Sequence, residues 1–245
     1  MELSGILFKI FGEEITDLVK KNLGDFFLFS WKEGINYYEC QNNKIPFEQY
    51  ILTSICFFCD LMEYSDINTF NSFYNTFLQL SDKSKLNEDC LQNIIYGYGI
   101  ICKRMDKNLF KEKYKNNILL FINNTFERPR NDGNENTYDT CINALGRYIF
   151  YQGENNNDDI NLSSKFINLL PLKFDKEIFK RTCKEFFEKI LNNHPLIMND
   201  VNLPLVKNAV ARIIDFNKKE NCLDNLITDL VMVTYSLNIN NINKE

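Results

Sequence analysis

In the stretch Asn93-Ile94-Ile95-Tyr96-Gly97-Tyr98-Gly99-Ile100, small residues stand at 97 and 99 inside an otherwise bulky helical pattern. Another 47 residues on, Ala144 and Gly146 take the same places in Asn143-Ala144-Leu145-Gly146-Arg147, and Ser54 and Cys56 sit 43 residues before Gly97 and Gly99. A glycine in a helix interior costs about 1 kcal/mol relative to alanine. Its recurrence implies close approach, where two helices cross and a missing side chain lets them pack tightly.

Working outward, apolar residues recur at helical spacing almost throughout. Phe179, Cys183, Phe186, Phe187, Ile190 and Leu191 fall on one helix face. Val206, Ala209, Val210, Ile213 and Ile214 repeat the pattern, as do Leu223, Leu226, Ile227, Leu230 and Val231. No stretch alternates as a strand would. Pro46 opens one helix; Asn87, Thr137 and Asp175 are expected caps, and Asn202 with Leu203-Pro204 opens a late helix. The spacing predicts helices over 2–11, 13–31, 46–63, 66–81, 87–105, 107–126, 137–152, 160–171, 175–192, 203–216 and 221–238, with irregular stretches at 32–45, 127–136 and 153–159. Taken in pairs, these give a unit of about forty to fifty residues, the period of HEAT and armadillo repeats. The expected fold is all-α: an α-α superhelix, a HEAT/armadillo-like solenoid of about five helix pairs, with residues 1–245 as a single helical-repeat domain. A helical bundle with incidental glycines is the alternative.

Composition narrows the function classes. Of 245 residues, 44% are hydrophobic and 25% charged, as in a folded globular chain. The net charge of -5 argues against a nucleic-acid partner, which calls for a basic stripe to displace counterions from phosphates. No long uncharged apolar run suggests a membrane span, and Met1-Glu2-Leu3 lacks a secretory n-region, so a soluble intracellular protein is expected. The eight cysteines, at 40, 56, 59, 90, 102, 141, 183 and 222, lie mostly in helical patterns and read as buried thiols of a reducing compartment.

Catalytic and cofactor chemistry finds little material. His194 is the lone histidine; set at a helix end between Asn193 and Pro195, it is expected to cap carbonyls or shape a turn. Cys56 and Cys59 form a single CxxC flanked by apolar residues, which favours packing over a redox or zinc half-site. Gly97-Tyr98-Gly99 lacks the strand and the Lys-Ser/Thr pair of a phosphate loop. No metal, cofactor or catalytic residue is assigned. The aromatic groups Phe26, Phe27, Phe29 and Trp31, and Phe70, Phe73, Tyr74 and Phe77, read as core, with pockets for apolar peptides as the alternative.

From 141 to 204 the residues become more specific. Cys141-Ile142-Asn143-Ala144-Leu145-Gly146-Arg147, Leu169-Leu170-Pro171-Leu172 with Asp175-Lys176-Glu177, Asn193-His194-Pro195 and Asn202-Leu203-Pro204 together resemble the last repeats of an importin-β (karyopherin-β) family nuclear transport receptor, in particular the karyopherin-beta-3 branch. The resemblance continues more weakly through Tyr96-Gly97-Tyr98-Gly99 and faintly over 3–63. All of these are turn and packing residues.

The resemblance implies a superhelix with outer helices on the convex side and inner helices lining a concave surface that helps enclose protein cargo for Ran-dependent nuclear import. It also implies contact with nucleoporins carrying Phe-Gly repeats, a Ran GTPase site on upstream repeats outside this sequence, and shuttling between cytoplasm and nucleus. Members are several-fold longer, and the chain is read as the C-terminal end of such a solenoid. With 13–31, 66–81, 107–126, 160–171 and 203–216 as inner helices, Asp17, Lys20, Lys21, Asn71, Asn75, Lys115 and Lys165 become candidate cargo-facing residues. They are equally readable as the solvated face of amphipathic helices. The alternative function is a HEAT-repeat scaffold or regulatory subunit unrelated to transport; a helical enzyme would call for clustered acids or metal ligands on facing helices.

Overall fold

The computed structural model describes residues 47–64, 87–131, 133–223 and 226–237, with positions 67, 70, 71, 74, 75, 77 and 78 between the first two stretches. Among the described residues the fold is all-α, with nine α-helices, one π-helical turn and no strand. The helices expected over 2–11 and 13–31 lie outside this range. Contacts divide the chain into two compact units that meet between Arg104 and Met105.

In the first unit, α1 spans Phe47–Tyr64 and α2 spans Glu88–Arg104, and the described positions between 67 and 78 are helical. Ile55, Phe58, Cys59 and Met62 form the buried face of α1. Asn87 caps α2 by accepting from the Cys90 N–H at 2.8 Å. Glu88 and Asp89 in the first turn and Lys103 and Arg104 in the last complement the helix dipole. The Cys59 thiol donates to the Asn93 carbonyl at 3.3 Å, and the Tyr96 hydroxyl donates to Glu63. Later residues of α1 therefore meet later residues of α2, and the two helices run parallel.

Gly97 is required by what faces it: a Cβ there would lie 2.2 Å from Cζ of Phe77, whose ring also meets Tyr98 edge-on at 6.0 Å. Gly146 repeats the device in the second unit, with its missing Cβ 2.6 Å from Cε2 of Phe166. A phenyl ring fills each gap rather than a second backbone. The two glycines are not 47 residues apart, and the ring comes from before the glycine in one case and after it in the other.

The second unit starts with α3 (Lys107–Lys113), capped by Asp106, which accepts from the N–H groups of Asn108 and Leu109 at 3.0 Å each. The helix expected over 107–126 breaks at Tyr114, with φ −123°, and resumes as α4 (Lys115–Phe126). Neither glycine nor proline marks the break. α5 (Glu135–Arg147) begins at Asn134, so the expected cap Thr137 is instead an interior residue, 2% exposed. α5 runs into the π-helical turn Tyr148–Gln152.

α6 (Asn157–Leu169) is capped by Asn156, and a cis peptide joins Leu170 to Pro171. α7 (Lys176–Leu191) is capped by Asp175, as expected, and ends where Asn193 takes the left-handed conformation (φ 51°) and the His194 N–H reaches the Lys189 carbonyl at 2.9 Å. α8 (Leu203–Glu220) opens with Pro204 in its first turn. α9 (Ile227–Ser236) is shorter than the expected 221–238, because the Asn217 side chain takes the N–H groups of Cys222 and Leu223 and holds them outside a helix.

Within this unit alternate helices run parallel. Asn143 of α5 donates to Thr182 of α7 at 2.9 Å, and further along both helices Arg147 meets Glu185 at 3.4 Å. α6 and α8 follow suit. Ser164 of α6 lies 2.6 Å from Asn202 at the start of α8, and Arg212 in mid-α8 donates to the Ile167 and Leu170 carbonyls at the end of α6. α7 packs in turn on α9. α4 and α5 run antiparallel, Phe126 at the end of α4 meeting Tyr138 early in α5 while the Cys141 thiol further along α5 donates to the Ile122 carbonyl further back on α4; α7 and α8 do the same, Lys176 meeting Glu220 and Phe179 meeting Phe216. The hydrogen bonds joining parallel helices in the two units link residues 33 to 45 apart.

Candidate functional site

The cargo-facing candidates fall into three groups. Asp17, Lys20 and Lys21 lie outside the described residues. Asn71 and Asn75, four apart in the first unit, are exposed and both helical. Lys115 and Lys165 belong to the second unit, on α4 and α6, and the structure gives them different surroundings.

Lys115 is tied to a buried polar group. Its Nζ lies 3.8 Å from the Asp159 carboxylate and 5.7 Å over the Tyr148 ring. Asp159, 1% exposed, also accepts from the Tyr148 hydroxyl at 2.7 Å, the Glu154 N–H at 2.7 Å and the Asn156 amide at 3.2 Å. Donors on both carboxylate oxygens offset its burial, and the π-helical turn aims Tyr148 at it. This is a joint that fixes the α5–α6 connection, and little of Lys115 is left for a partner.

Lys165 belongs to a surface array. Its ammonium lies 4.5 Å over the Phe126 ring, Phe126 meets Tyr138 edge-on at 5.1 Å, and the Arg130 guanidinium lies 3.6 Å over Tyr138. Two cations thus bracket two rings drawn from α4, α5, α6 and the α4–α5 loop. Exposed cation–π pairs contribute about 0.5–1 kcal/mol each, enough to pre-orient both side chains while leaving them accessible. Sequence reasoning named Lys165 but missed Arg130, Phe126 and Tyr138, since nothing in their spacing announces that they meet.

A second feature missed in the sequence is a polar ladder on the buried side of α5, at four-residue steps. Asp139 accepts from the N–H groups of Lys173, Phe174 and Asp175 at 2.7–3.0 Å. Burial pushes its carboxyl up, while those three donors pull it down. Asn143 and Arg147 follow with their partners on α7, and Lys189 of α7 sits 4.4 Å over Tyr151. The four-residue step alone would have suited an exposed face equally well.

Among the described residues the chemical alternatives find no assembled site. Nε2 of His194 donates to the Phe150 carbonyl at 3.2 Å, on the π-helical turn, and burial with the nearby Lys189 holds the imidazole below its usual pKa. Cys56 and Cys59 lie within α1, and burial raises the Cys56 thiol to about 11, which keeps it protonated. Among the described residues no group of three His, Cys, Asp or Glu side chains is placed to hold a metal, and no helix is long and apolar enough to cross a membrane. No protein-family model, curated protein or solved structure matches the chain.

Proposed function

We propose that the chain is a helical-repeat scaffold that binds other proteins, and that its partners are the protein cargo of an importin-β-type nuclear transport receptor. The observation that carries the scaffold reading is the parallel stacking of alternate helices, with cross-links 33 to 45 residues apart in both units. A unit that repeats at this interval buries its apolar face on its neighbours and extends as a solenoid, which offers long surfaces rather than one pocket.

The transport reading rests on the residue resemblance, and the places those residues occupy support it. Asn193-His194-Pro195 forms the left-handed end of α7, Asn202-Leu203-Pro204 starts α8, and Gly146 receives Phe166. In that reading α4, α6 and α8 form the inner row, and the Lys165–Phe126–Tyr138–Arg130 array lies on the cargo side. Nucleoporins with Phe-Gly repeats are further partners, Ran acts through repeats outside this sequence, and the protein shuttles between cytoplasm and nucleus.

The test is capture of the native protein from cells with an antibody against this segment, before and after adding Ran loaded with GTP. Partners that leave on Ran-GTP support the transport receptor. Partners that stay bound regardless of Ran would leave the scaffold and remove the transport assignment.

A further inference from the structure

We draw no further inference here: the strongest candidate, the exposed apolar stripe that Val231, Met232 and Tyr235 form along the outer side of α9, carries none, since nothing among the described residues shows what covers it.

Discussion

At His194 burial and charge set the protonation state. Nε2 faces the Phe150 carbonyl and must carry a proton to donate to it, so in the neutral ring Nδ1 is bare; that atom is buried and has no hydrogen-bond partner. Burial first, then the positive charge of Lys189 and, more weakly, of Lys107, lowers the pKa despite the carbonyl. A histidine with a folded pKa below its unfolded value of about 6.5 takes up a proton on unfolding. Stability is therefore full above that value and is lost as pH falls through the folded pKa. Urea denaturation from pH 7.5 to 5 should show this decline, and His194→Gln should flatten it. An unchanged slope in the variant would assign the decline to other groups. The role at a helix end was legible from its neighbours Asn193 and Pro195; the receiving carbonyl, 44 residues earlier, was not.

At the scale of elements, the ladder between α5 and α7 separates specificity from stability. Arg147 is 1% exposed and Glu185 is 7% exposed, so removing one partner strands the other charge in a dry interface. Arg147→Met is expected to cost about 3–5 kcal/mol, whereas Arg147→Met with Glu185→Leu should recover most of the loss, because well-packed apolar pairs replace buried ion pairs at little cost. Denaturant titration of the single and double variants measures it, and additive losses would show that the two side chains do not act as a pair. Helix existence was legible because the apolar period is strong, as along Phe179, Cys183, Phe186, Phe187 and Ile190, all buried on α7. The break at Tyr114 and the π-helical turn at Tyr148 were not, since neither carries a glycine or proline at the break; long-range contacts such as the Phe110–Tyr148 ring pair accompany them instead. Lys165 was legible as a surface cation, while its position over Phe126, 39 residues away, depends on how three helices stack.

On the scale of the second unit, stacking in rows implies a gradient of local stability. α5 packs on α4, α6 and α7, and α7 packs on α5 and α9. α9 buries Leu230 and Val233, and Leu237 just past its end is also buried, while Val231, Met232 and Tyr235 on its other side are 62%, 52% and 87% exposed. In an array held by nearest-neighbour interfaces, a helix covered on one side opens at lower free energy than one covered on two. Hydrogen exchange followed by mass spectrometry should therefore find the amides of α5 and α7 slowest and those of α9 at least about tenfold faster, since each tenfold corresponds to about 1.4 kcal/mol of opening free energy. Dilution supplies the control. If α9 is as protected as α7 at high protein concentration and loses that protection on dilution, a second copy covers its apolar face. If it stays protected when dilute, α9 is stabilised within the chain and the row does not grade in stability as nearest-neighbour stacking requires.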